Sequence, residues 1–255
     1  MSSRDSSPVP AKRRKLQILY EDSAVLVLDK PACLHSVSQA DSNESLAKAL
    51  ERYFPSLKGV GGRTGEAGLI QRLDYETSGV IIAAKDQATW RYLREELKCG
   101  QIQKCYLAVL EGTLSMPRTV RSFLGPRHRG SRKVSCWERK PKGVRALEGE
   151  TVFSPLGNWK GCSVVRVSAS VARRHQVRAH AALIEHPLVG DVLYGSTTAL
   201  RNVFAAEEVP PFFLHAEQVA FRLPAGKWTQ VQAELPHYAR DVRELALRQT
   251  ISSTP

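Results

Sequence analysis

Gln71-Arg72-Leu73-Asp74-Tyr75-Glu76-Thr77-Ser78-Gly79, followed by Val80-Ile81-Ile82-Ala83-Ala84, is the stretch on which the reading of this chain turns. Its second half is a short apolar run rich in β-branched residues, the composition of a buried strand. Its first half is polar and ends in Thr-Ser-Gly, residues that form tight turns and supply hydroxyl and backbone donors. Asp74 therefore sits in a loop held by a rigid sheet, the kind of place where catalytic groups concentrate. On spacing alone, an aspartate closing an Asx turn is the simpler account of the same pattern.

Outward from this stretch, apolar runs at residues 17–20 and 24–29 predict a strand pair around the turn residues Glu21-Asp22-Ser23, ended by Lys30-Pro31. Residues 44–53 predict a helix with Ser42 or Asn43 as cap. The glycine-rich residues 59–68 predict a flexible loop and do not fit the phosphate-cradling G-x-x-x-x-G-K-[ST] pattern. Asp86 is placed to cap a helix running to residue 98, with Trp90, Leu93 and Leu97 on its core face. Strands are expected at 106–110, 163–170, 214–223 and 230–235, and helices at 175–185 and 239–248. Many strands with few long helices predict an α+β fold with a mixed, mostly antiparallel sheet and flanking helices.

The 255-residue chain carries 37 Lys and Arg against 25 Asp and Glu, a formal charge of +12. That balance points to a polyanionic partner, nucleic acid ahead of membrane. Residues 118–146 are strongly basic and suit a hairpin or loop reaching toward such a partner. Residues 1–15, rich in Ser, Pro and basic groups, predict a disordered tail, and its Lys12-Arg13-Arg14-Lys15 cluster reads as a solvated tail, a nuclear signal or an RNA-binding arm. Residues 16–250 form the expected folded domain. The 5 cysteines are odd in number and lack a Cys-x-x-Cys pair, which argues against a disulfide framework and a zinc knuckle. His175, His180 and His186 match no metal-ligand spacing, and no apolar run approaches the ~18 residues of a membrane helix. The N-terminus lacks the apolar core of a secretory signal, so a cytoplasmic location is expected.

Arg72-Leu-Asp74 with Thr77-Ser-Gly79 and the strand after it resembles the catalytic signature of the RluA-type family of pseudouridine synthases. Residues 18–31 resemble that family's opening strand pair and Lys-Pro step. Lys104-Cys-Tyr106-Leu-Ala resembles its Lys-x-Tyr-x-Ala motif, and His175-Gln-Val-Arg178-Ala-His180 its His-Gln-Ile-Arg-x-His motif. His186 to Gly195 and Leu214-His-Ala216 match two further blocks, so 6 blocks stand in the family's order over roughly residues 17–222.

The resemblance implies an enzyme that isomerises uridines in a structured RNA, ribosomal or transfer, without metal or other cofactor. It implies Asp74 as the essential aspartate, Tyr106 as the tyrosine against the target base, and Arg178 as the partner of the aspartate. It implies that Arg72 enters the space left by a flipped nucleotide. Lys104, Arg173, Arg174 and His175 are expected as further RNA-binding residues, the first three because their charge can neutralise phosphates. An arginine beside Asp74 would keep the carboxylate ionised and fix its direction. An aromatic floor would hold a detached uracil while letting it turn. The chain departs from the family at Gln71 and Tyr75, where His and Arg are usual, and at Ala172-Arg173-Arg174, where Gly-Arg-Thr is common. The N-terminal S4 RNA-binding module is not expected, with about 16 residues ahead of the first strand. A monomer is expected. The competing class is a non-catalytic RNA-binding or assembly factor that keeps the synthase fold.

Overall fold

The computed structural model describes residues 16–38, 44–169, 171, 173–204, 206 and 208–244. The basic tail, Ser42 and Asn43 lie outside the described residues. Among the described residues ten strands are present: β1 (Gln17–Glu21), β2 (Val25–Lys30), β3 (Ser78–Ala84), β4 (Gln103–Glu111), β5 (Arg118–Pro126), β6 (Val134–Trp137), β7 (Leu147–Trp159), β8 (Cys162–Ser168), β9 (Leu214–Arg222) and β10 (Trp228–Gln232). The helices are α1 (Leu46–Tyr53), α2 (Gln87–Lys98), α3 (Gln176–Leu183) and α4 (Leu200–Val203), with short 3-10 turns between elements.

The strands form one sheet in the order β1-β2-β3-β9-β4-β8-β7-β5-β6, with β10 pairing β9. Every pairing between these strands is antiparallel except β3 with β9, where Ser78 lies beside His215 and Gly79 beside Ala216. The α+β expectation holds. The basic segment 118–146 is largely the β5–β6 hairpin, and the long strand β7 follows where no strand had been expected.

Both faces of the sheet are covered, so its central strands read as continuous apolar runs instead of alternating. Val25, Val27, Val80 and Ile82 face α2 and its Leu93 and Leu97. Leu26, Leu28, Ile81 and Ala83 face the other way, against Leu46 and Leu50 of α1. In the second half, Leu107, Val109 and Val164 pack with Phe204 and Phe213, and Ala108, Val165 and Val167 with Val177 and Ala181 of α3. Asp86 caps α2 by accepting from Ala88 N and Thr89 N, as its position promised. The cap of α1 is Ser45, which accepts from Lys48 N, so that helix starts two residues later than the periodicity indicated. The expected helix at 239–248 is a 3-10 turn, His237–Ala239, with helical backbone at residues 242–244, and residues 245–248 lie outside the described set.

Candidate active site

Asp74 lies just before β3, at the seam where β3 meets β9. The seam is tight. Gly79 has φ of +106°, and a Cβ on it would lie 2.1 Å from the Ala216 carbonyl oxygen, so only glycine closes Thr-Ser-Gly here. Ser78 Oγ bonds His215 Nδ1 at 2.9 Å across the same pair. Ala216 in turn pairs Tyr106 on β4, placing Gly79, Ala216 and Tyr106 in one row across three strands.

The backbone on either side of Asp74 is clamped. Ser36 Oγ donates to Leu73 O at 2.8 Å and accepts from Leu73 N at 3.0 Å. Lys30 is fully buried, and its Nζ donates to Pro31 O and Leu34 O at 2.8 Å and to Tyr75 O at 3.4 Å. Burial pushes Lys30 down to about 7, against the opposing influence of Cys33, Asp74, Glu76 and Asp29. The Asp74 side chain remains free to enter the cleft.

Arg178 meets it from α3. Its Nη1 donates to Asp74 Oδ2 at 3.2 Å, while Nε and Nη2 donate to Asp191 at 2.6 and 2.8 Å. The guanidinium lies over the Phe212 ring at 4.4 Å and the Tyr194 ring at 5.2 Å. Burial opposes its charge, but the hydrogen bonds and charge of Asp191, and then those of Asp74, outweigh burial and raise its pKa. The Arg178 side chain is 6% exposed and that of Asp191 1%, whereas Asp74 is 23% exposed. Of the three, only the Asp74 carboxylate can be reached from outside. Asp191 follows Gly190, whose φ is +88° and whose Cβ would lie 1.7 Å from the Pro211 carbonyl oxygen. Each acid thus adjoins a close backbone approach that glycine permits.

Tyr106 packs against two core clusters and borders the cleft. Burial, then the charges of Asp74 and Cys105, raise its pKa, so it stays a neutral phenol. His175, the N-cap of α3, takes a left-handed conformation with φ of +52°, an uncommon state for a non-glycine residue that recurs at functional sites. Its Nδ1 lies 3.1 Å from the Tyr194 hydroxyl and its Nε2 4.0 Å from Asp74 Oδ1. Burial lowers it to about 4, helped by Arg178 and Arg174 and opposed by Asp74 and Asp191, so the ring is neutral at pH 7. A proton on Nε2 suits both neighbours, facing the carboxylate and leaving Nδ1 to accept from Tyr194.

Asp74, Tyr106, Arg178, Arg72, Arg173 and His175 line one cleft. Arg72 is exposed at its mouth. Arg174 is also exposed, but its guanidinium donates to Ser131 O and Arg132 O, tying the β5–β6 loop to the start of α3. Lys104 is buried and lines a neighbouring cavity instead. His180 is an internal residue, bonded to Ser122 and Thr151. Among the described residues no three metal-ligating side chains converge. Asp191, Tyr194, Lys30 and Ser36 were given no role by the sequence. Asp191, Tyr194 and Lys30 stood inside matched blocks, but nothing in the blocks says which atoms they touch.

Residues 24–183 match the family model described as RNA pseudouridylate synthase. The chain belongs to this family. Its relatives place it among the RluA-type enzymes. It is 32% identical over 238 residues to an uncharacterised RNA pseudouridine synthase of Zymomonas mobilis, covering 92% of this chain and 99% of that one. It is 29% identical over 225 residues to the ribosomal large subunit pseudouridine synthase D of the same organism, covering 87% of this chain and 69% of that one. A Bacillus subtilis relative is spanned to 64% of its length. The human RNA pseudouridylate synthase domain containing 1 has the same fold, with a TM-score of 0.67 at 23% identity over 97% of this chain and 99% of that one.

Proposed function

We propose that this enzyme converts uridine to pseudouridine in structured ribosomal or transfer RNA, with Asp74 as the essential carboxylate. The observation that carries the reading is the Asp74–Arg178–Asp191 chain, in which the outermost carboxylate alone is accessible. Isomerisation breaks the N1–C1′ bond, turns the uracil and joins C5 to C1′. The proton on C5 leaves and N1 gains one. A carboxylate serves this as nucleophile at the sugar or as base and charge stabiliser, and either role requires it ionised. Arg178, anchored by Asp191, aims Asp74 through its Nη1 hydrogen bond. Tyr106 offers a neutral ring against which the freed base turns.

RNA is held by phosphate contacts from the basic rim, including Arg72 and Arg173 and the exposed Arg127, Arg129, Arg132 and Lys133 of the β5–β6 loop. No helix of the described residues is long and apolar enough to cross a membrane. The proposal includes a cytoplasmic monomer that needs no cofactor. Its test is a pseudouridine map of total RNA from cells with the wild type, without the protein, and with Asp74→Asn. Sites lost in the last two and present in the first establish the activity and its target. Identical maps in all three would leave RNA binding without catalysis.

A further inference from the structure

We infer that the cavity beside the uridine cleft is a subsite for an RNA backbone phosphate, with Lys104 as its buried cation. This rests on the function proposed above and adds where a nucleotide neighbouring the target is held. The cavity, about 270 Å³, is lined by Gly100, Gln103, Lys104, Cys105, Ser168, Ala169 and Gln218. Ala169 also lines the Asp74 cleft, so the two spaces adjoin. Lys104 lies two residues before Tyr106 on β4, and alternate residues of a strand share a face.

The residue is 5% exposed, and its Nζ is buried with no hydrogen-bond partner. Buried ammonium groups are ordinarily paired, because three unmet donors and a charge are costly away from water. Lys30, the other buried lysine among the described residues, gives its protons to three carbonyls. The charge that acts on Lys104 is another cation, Arg173, which lines the Asp74 cleft and gives its Nε proton to Glu148 O. Among the described residues no carboxylate pairs with either. Burial and then Arg173 push Lys104 down to about 7. A buried ammonium with unmet donors, beside a cavity that also presents Gln103, Ser168 and Gln218, lacks one component, an anion, and a phosphate supplies both charge and acceptors. Its place next to the cleft assigns it to a nucleotide flanking the uridine.

The test uses the full chain carrying Asp74→Asn, so binding is read without turnover, with and without Lys104→Met. The probes are unmodified transcripts of large-subunit rRNA segments and of tRNAs. Methionine keeps the volume and removes the charge. Lys104→Met should weaken binding about tenfold and reduce the slope of log affinity against log salt by about one phosphate. It should also raise Tm by a few degrees, since an unpaired buried charge is removed. In the active background it should raise KM more than it lowers kcat. A fall in Tm, an unchanged salt slope, or unaltered affinity would each overturn the phosphate assignment. If wild type made no pseudouridine while Lys104→Met still lost one phosphate contact, the subsite would stand and the catalytic reading would fall.

Discussion

Arg178 is bound to Asp191 by two hydrogen bonds, 2.6 Å from Nε and 2.8 Å from Nη2, before it offers Asp74 a single one at 3.2 Å. Asp191 is the more deeply buried acid and makes the shorter contacts, so it holds the guanidinium in place. Asp74 reads that placement. The Asp74 carboxylate is oriented by a partner that is itself oriented from behind.

Asp191→Asn should therefore act through Arg178. The variant loses the charge that balances a buried guanidinium, which costs about 3–5 kcal/mol when a buried pair is broken outright and less for the isosteric amide. We expect a lower Tm and a kcat reduced at least ~10-fold, with RNA affinity nearly unchanged because phosphate contacts lie elsewhere. Equal losses in kcat and affinity would show that Asp191 serves the RNA surface instead.

Asp74→Asn should fold and bind RNA as well as wild type or slightly better, with one negative charge fewer in a basic cleft. Turnover should fall by about 10²–10⁴-fold or more, the scale of a lost acid–base or nucleophilic group. Single-turnover pseudouridine formation measures it. Arg178→Lys should retain more activity than Arg178→Ala, since it keeps the charge without the planar fork. Wild-type rates in either alanine or asparagine variant would break the proposed pair.

Lys30→Met should do the reverse of Lys104→Met. Removing Lys30 orphans the Pro31 and Leu34 carbonyls, while Tyr75 O keeps the Leu34 N–H. Each orphan costs about 1–3 kcal/mol, and Tm should drop by roughly 5–10 °C. The Asp74 loop loses its clamp, so kcat should fall as well. Thermal melts of the two lysine variants side by side check the opposed signs.

Stability should decline as pH falls from 6.5 toward 4. Burial chiefly holds His175, His180 and His215 down to about 4 in the folded state, against an ordinary value of 6.5. In that window the unfolded chain takes up these protons and the folded chain does not, so each histidine removes up to about 1.4 kcal/mol per pH unit. Asp29 works the other way, since burial raises it to about 6 and the folded state binds its proton first. Three groups against one leave a net loss. A Tm that stays flat between pH 7 and 5 would mean that these histidines accept charge without unfolding.

The sequence by itself determined a good deal. The apolar runs around residues 24–29, 80–84 and 106–110 marked the central strands because both sheet faces are buried, so no alternation dilutes the signal. Asp74, Tyr106 and Arg178 were legible as a set because the blocks that carry them stand in one order along the chain. Strand β7 escaped, since its Gly157 and Pro155 break the pattern and its long pairing with β5 and β8 supplies what propensity does not.

Tertiary structure alone decided which atoms meet. Asp74 and Arg178 are 104 residues apart, and their contact depends on the β3–β9 seam that brings two halves of the sheet together. Sequence gave Asp191 and Lys30 no partner, because a bidentate grip or a three-carbonyl clamp is a matter of Ångström placement that residue type does not encode. The same limit explains Lys104. Its charge marked it as an RNA contact, but only the packing of β4, β8 and β9 around it shows an ammonium buried beside a cavity, without a partner of its own.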